Sequence, residues 1–216
     1  MQPVLDNLDL FVDGFLRSLS IAALAAVGSL LLGTLIAIFR VGPIPVLNRL
    51  GAGYVTLIRN TPLTVLLFMI AFGIPALGIN TSFYNFGVAG LIIYTAAFVC
   101  EAERSGINSV ATGQAEAARA IGLRFTQSLS LVVLPQAFRA VVPPLGNVLI
   151  AMAKNSAVVG AIGVGGDLFS VYGRLTSAQG YPPLPILTGM AIGFLCITLP
   201  AAGLLALTER RLEVAR

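Results

Sequence analysis

The sequence predicts an all-α integral membrane fold, one unit over residues 1–216 with five transmembrane helices, on three observations. Apolar residues make up 57% of the 216 residues and charged ones 10%, against roughly 45–50% and about 25% in a typical soluble domain. Mean hydropathy is +0.93. The charges are also spaced too widely for a soluble chain. Arg17 to Arg40 encloses 22 uncharged residues, Arg59 to Glu101 encloses 41, Arg139 to Asp167 encloses 27 interrupted only by Lys154, and Arg174 to Glu209 encloses 34. A spanning helix needs about 20 apolar residues, so every gap is long enough to cross a bilayer.

Taken in order, the first span covers 16–39. The segment before it carries Asp6, Asp9 and Asp13 where a cleavable signal would need a basic stretch, so this span is expected to be retained. Arg40 to Arg59 is partly helical. Pro75, Gly78, Asn80 and Gly87 break the 41-residue gap into a second span at 61–77 and a third at 87–104. A loop over 105–137 leads to a fourth span at 138–158, where Pro143 and Pro144 remove backbone donors and mark a breaking point or hinge. The fifth span covers 185–208. Five spans place the termini on opposite sides. With the N-terminus outside, Arg40, Arg49, Arg104, Arg119, Arg124, Arg139, Arg210, Arg211 and Arg216 fall inside and only Arg17 and Arg174 outside. That excess orients the chain with its C-terminus in the cytoplasm.

The net charge of +4 therefore reads as topology, with membrane lipid as a partner and no nucleic acid. Cys100 and Cys196 both lie in apolar runs, which suits small buried hydrophobes better than a disulfide. Without a histidine, a phosphate-binding glycine loop or a metal-spaced cysteine pair, the chain is not expected to be an enzyme or to bind a cofactor. Ser156 and Lys154 stand two apart on a helix and point away from one another, so they form no hydrolytic pair.

The loop is the informative segment. Residues 112–122 have helical composition, a cap at Thr112 or Gly113, Glu116 in the first turn and Gly122 as a C-terminal stop. A second amphipathic stretch from Arg124 to Val133 is stopped by Leu134-Pro135. Such a loop serves either as an interfacial connector or as a docking helix for another protein, through Ala115, Ala117, Ala118, Ala120 and Ile121.

The arrangement Glu116-Ala117-Ala118, three residues, Gly122, nine residues, Val132, one residue, Leu134-Pro135 resembles the EAA signature of permease subunits of bacterial ABC importers. Its one departure is Val132 for isoleucine. RNTPLTVLLFMIAFGIP at 59–75, LPQAFRAVVPPLGN at 134–147 and AKNSAVVGAIGV at 153–164 narrow the resemblance to polar amino acid importers, most like glutamate-type permeases. The resemblance implies a type I ABC importer permease with a cytoplasmic coupling-helix loop, in a bacterial cell membrane. It implies as partners a cytoplasmic ATPase dimer where ATP and Mg act, a second permease chain and an extracytoplasmic substrate-binding protein. Glu116, Ala117, Ala118, Gly122, Leu134 and Pro135 become the ATPase-coupling residues, and glutamate or aspartate the expected substrate. An ATP-independent channel or ion-coupled carrier, or a scaffold recruiting a soluble partner, are the alternatives.

Ionisable residues within a membrane are costly and functional by default. Lys154 lies 15 residues beyond Arg139, roughly 23 Å along a helix, and lines a path or gate or is a satisfied structural charge. Asn147, Asn155 and Ser156 could supply polar groups to the same path. Arg59, Asn60 and Thr61 precede Pro62 as a helix stop and restart, with Asn60 or Thr61 capping the next helix and Arg59 open to an acidic substrate. Glu101, Glu103 and Arg104 read as an ion-pair cluster at the inner end of the third span.

Overall fold

The computed structural model describes residues 2–163 and 165–213; Val164 and Arg216, both used above, lie outside them. Among the described residues every regular element is helical. A short α1 (Gln2–Leu5) precedes α2 (Leu8–Val41), α3 (Pro45–Arg59) and α4 (Leu63–Phe68), which passes through a π turn (Met69–Gly73) into α5 (Ile74–Ala76). Next come α6 (Phe83–Asn108), α7 (Thr112–Ala120) and α8 (Phe125–Ser128), the last joined by a π turn (Leu129–Val133) to α9 (Leu134–Ala161). Then α10 (Leu168–Gly173), a π turn (Arg174–Ala178) and α11 (Pro183–Glu213) complete the chain.

Four apolar helical stretches are long enough to cross a membrane: Leu8–Val41, Phe83–Asn108, Phe125–Ala161 and Pro183–Leu212. The segment expected as the second span is the second limb of a bent pair, Pro45–Arg59 and Leu63–Ala76, that turns by 104°. The stop at Asn60-Thr61 produces that turn. Asn60 Nδ2 donates to Thr56 O at 2.7 Å and Thr61 Oγ1 donates to Leu57 O at 2.8 Å. Both side chains thus finish α3 rather than cap α4, and Pro62 is the residue before α4 rather than its first turn.

The seam between α2 and α6 is the centre of the fold. A Cβ on Gly28 would sit 2.4 Å from Ile92 Cδ1, and one on Gly33 would sit 2.5 Å from Val99 Cγ1 and 2.9 Å from Ala96 O. Ser18, Ala22, Ala25 and Ser29 continue the same buried stripe. Lipid is as apolar as leucine, so helices in a membrane gain by close contact of small residues rather than by hiding hydrophobic ones. Around this seam, Ile21, Leu67, Leu91, Met152 and Val159 form the largest core cluster. At one end Arg17 lies over the Tyr84 ring at 4.8 Å; at the other, Arg40 bonds Glu101 at 2.5 Å.

Two proline expectations are corrected. α9 runs unbroken through Pro143 and Pro144, so the expected breaking point is absent there. Proline's fixed φ suits a helix, and what it removes is a donor. Flanking contacts hold the backbone there: Gly106 of α6 lies against Val141, and Gly146 lies against Leu205 of α11, each so close that a Cβ would meet the neighbour at 2.2 Å. Leu134-Pro135 likewise stops nothing, because the preceding π turn carries α8 into α9. Leu134 N–H donates to Leu129 O, five residues back, and Pro135 has no N–H to place. The π turn at Met69–Gly73 likewise ends two residues before Pro75, although there Ile74 N–H donates to Ile70 O, four residues back.

The tail before the last helix holds α10, which docks on α2. Leu168 N–H donates to Ser18 Oγ at 3.1 Å. The buried Asp167 carboxylate accepts from Phe169 N–H at 3.1 Å and from the Ser170 hydroxyl.

Replacing Gly33 with valine should cost about 1–3 kcal/mol by overpacking, because its close neighbours include the Ala96 backbone oxygen, which cannot move aside. Gly53→Ala, where a Cβ would meet nothing within 4 Å, should leave stability equal or raise it by about 0.5–1 kcal/mol. Thermal unfolding of the detergent-solubilised protein, followed by monodispersity, checks both.

Candidate functional site

Three places bring together the residues singled out from the sequence. The first is the loop after α6. α7 starts from Ala111, whose side chain makes no cap, so neither Thr112 nor Gly113 is the capping residue and Glu116 falls in the second turn. The other end is as expected. Gly122 has φ +90°, with its N–H donating to Arg119 O at 3.0 Å and Leu123 N–H donating to Ala118 O at 3.1 Å. Those two bonds close the helix in the motif that glycine allows without a Cβ penalty. Arg124 N–H then donates to Gln127 Oε1 at 2.9 Å, which starts α8.

This geometry divides the loop residues. Ala118 is buried and Ala115 half-buried, so they pack α7 onto the π turn and are not part of a free face. Glu116, Ala117, Ala120 and Ile121 are exposed, Ile121 by 80% and Phe125 by 75%. A groove of about 180 Å³ between Ala115, Arg119, Phe125, Ser128, Leu129 and Val133 lies alongside. Leu134 and Pro135 are exposed at the foot of α9.

The second place is a cleft of about 240 Å³ between α6 and α9, lined by Tyr94, Thr95, Phe98, Val148, Ala151, Met152 and Asn155. Asn155 enters it, but Ser156 does not: it is buried with its hydroxyl donating to Ala153 O at 2.7 Å. Such back-bonding satisfies the hydroxyl within its own helix. Asn147 and Lys154 lie on the exposed face of α9, seven residues and about 10 Å apart along the axis. Among the described residues Lys154 has neither an ion pair nor a hydrogen bond.

The third place is a polar cavity of about 400 Å³ lined by Arg40, Val55, Thr56, Arg59, Asn60, Phe98 and Glu101. Glu101 takes both Arg40 and Arg104. The ion-pair cluster therefore reaches across to α2, which sequence spacing alone did not indicate. Glu103 instead accepts from the Thr34 hydroxyl at 2.7 Å. Arg59 lies over the Phe98 ring at 5.2 Å. Tyr94, Thr95 and Phe98 were not anticipated as site residues, and the spacing of Tyr94 and Phe98 on one helical face was the available signal.

Comparison with known proteins matches residues 29–214 to the binding-protein-dependent transport system inner membrane component family. The chain is 37% identical over 208 residues to the probable glutamine ABC transporter permease protein GlnM of Bacillus subtilis, covering 96% of this chain and 95% of that one. It is 37% identical over 213 residues to the glutamate transport system permease protein GluC of Corynebacterium glutamicum, covering 92% of each. Among solved structures, an amino acid ABC transporter crystallised with histidines aligns with a TM-score of 0.89 at 34% identity, over 96% of both chains. The MetNI methionine ABC transporter in an inward-facing conformation aligns at 0.75 with 23% identity over 95% of this chain and 97% of that one, a likeness of fold. With four or five spans, an all-helical fold and a match over most of its length, the chain belongs to the binding-protein-dependent transport system inner membrane component family, the permeases of ABC transporters.

Proposed function

We propose that the chain conducts a polar amino acid of the glutamate and glutamine class, as the permease subunit of an ATP-driven importer. Near full-length similarity to a glutamine and a glutamate permease carries this reading. Glutamate or aspartate is favoured by the polar cavity, where Arg59 stands beside an arginine pair that already shares Glu101. Electrostatics thus supports an acidic substrate.

The exposed loop is the proposed contact with a cytoplasmic ATPase dimer that binds ATP and Mg. Glu116, Ala117, Ala120 and Ile121 form its outward surface, while Ala118 and Gly122 hold its shape. Because α8 passes into α9 through helical backbone, a push on α7 can reach the α6–α9 cleft. The orientation that fits has the loop and the C-terminus in the cytoplasm and the Arg17 end facing a substrate-binding protein.

A second permease chain is expected beside α9 and α11. The apolar windows of α2 and α6 are 39% and 50% buried, while those of the α8–α9 stretch and α11 are 6% buried. Lipid would satisfy leucines on that face, but not Lys154 and Asn147. An unpaired ammonium at membrane depth requires a water-filled path or a partner's polar groups. Lys154, Asn147 and Asn155 are therefore proposed to border the path between the two chains. Arg59 and Asn60 stand at its inner end, and Thr61 and Ser156, bonded to their own helices, shape it.

Reconstitution with ATPase and binding protein tests this. ATP-dependent uptake of labelled glutamate by the wild-type transporter supports the reading, and uptake without ATP would turn it toward a carrier. Gly122→Pro and Glu116→Lys should each lower uptake by about tenfold or more while membrane assembly persists, since φ near +90° is closed to proline. Unchanged uptake would remove the loop from the coupling role. Lys154→Ala should lower uptake several-fold, about the effect of losing one charge–ligand contact; normal uptake at normal expression would make Lys154 structural.

A further inference from the structure

The α6–α9 cleft and the polar cavity share one wall, and that wall is Phe98. Along α6, the cleft touches Tyr94, Thr95 and Phe98, and the cavity touches Phe98 and Glu101. The two spaces are therefore successive, about one helical turn apart, with an aromatic ring between them. Two side chains hold that ring. Tyr94 packs against it with centroids 5.0 Å apart, and the Arg59 guanidinium lies over it at 5.2 Å.

Arg59 has no carboxylate within ion-pair distance among the described residues, because Glu101 is engaged by Arg40 and Arg104. Among the described residues its partner is the ring of Phe98. A guanidinium held by a ring quadrupole is held weakly compared with one paired to a carboxylate. A carboxylate arriving in the cavity would outcompete the ring for it.

We propose that Phe98, latched by Arg59, is the inner gate of the path, and that the carboxylate of the permeating amino acid releases it by drawing Arg59 into the cavity. This rests on the reading that the chain conducts an amino acid. The cavity is then a second, inner station for the substrate carboxylate, with Asn60 and Thr56 beside it as polar neighbours. The Arg40–Glu101–Arg104 cluster holds the cavity's far wall and is not consumed by the substrate.

The test uses the complete transporter, with its second permease, ATPase and binding protein. In a C100A/C196A background carrying Asn155→Cys, labelling by a membrane-impermeant thiol reagent applied from the Arg59 side reports whether the cleft is open past Phe98. F98A should speed labelling by about tenfold or more, as removal of an apolar constriction does. R59Q should speed it about two- to fivefold, the factor that a cation–π contact of exposed strength represents. R59K should stay near the parent, as should R49Q, a change on the same helix away from the cavity. Adding glutamate should speed labelling in the parent and not in R59Q. If F98A and R59Q label at the parent rate, or R49Q accelerates as much as R59Q, the gate is overturned. F98L, which keeps an apolar side chain, gives the same comparison should F98A fail to assemble. The substrate-free labelling rates of F98A, R59Q and R49Q do not depend on which amino acid is carried, so failure of the gate and failure of ATP-driven glutamate uptake are read separately.

Discussion

The close approach of α2 to α6 is the constraint on which the rest depends. Gly28 and Gly33 allow the two backbones to come within reach of Ile92, Val99 and the Ala96 carbonyl. With the helices in that register, Thr34 meets Glu103 and Arg40 meets Glu101. The Arg40–Glu101 contact in turn forms one wall of the polar cavity, and α3 closes it by packing Val55 and Ile58 against Ala97 and Cys100. A wider seam would part the ion pair and remove the cavity. A buried or half-buried charge left without its partner is costly, so the seam and the ion pairs reinforce one another.

The four long apolar helices were legible because charge is excluded from hydrocarbon whatever the fold, and the gaps from Arg17 to Arg40 and from Arg59 to Glu101 record that exclusion directly. The loop was legible for a different reason. Gly122 and its spacing from Glu116 encode backbone geometry, and a positive φ leaves a glycine in the sequence. Helix faces were not legible, since in lipid both the packed and the lipid-facing sides are apolar and periodicity carries little information. The buried stripe Ser18, Ala22, Ala25, Ser29 is marked by small size instead. For the same reason Ser156 looked like a path residue although its hydroxyl is consumed by its own helix.

The prolines show where a soluble-protein rule transfers badly. Pro75 and Pro135 each follow a π turn by two residues, and before Pro135 the wider bond from Leu134 N–H to Leu129 O carries the helix into the proline. Pro143 and Pro144 sit between the Gly106 and Gly146 contacts, where neighbouring helices hold the backbone. Neighbours routinely re-satisfy such freed groups inside membranes. The reading of a break required a helix standing alone.

The continuity of Phe125 to Ala161 has a mechanical meaning. A rod of 37 residues, roughly 55 Å long at about 1.5 Å per residue, stores little of an imposed displacement as bending and passes the remainder on as rotation or tilt. Its far end is jammed against the Asp167 carboxylate, where Gly160 has no room for even one more carbon. A small torque at Phe125 would therefore be felt as shear at the Gly160–Asp167 contact, on the opposite side of the membrane. The two surfaces of such a protein cannot be set independently: whatever posture the Phe125 foot adopts, the Gly160 shoulder must follow.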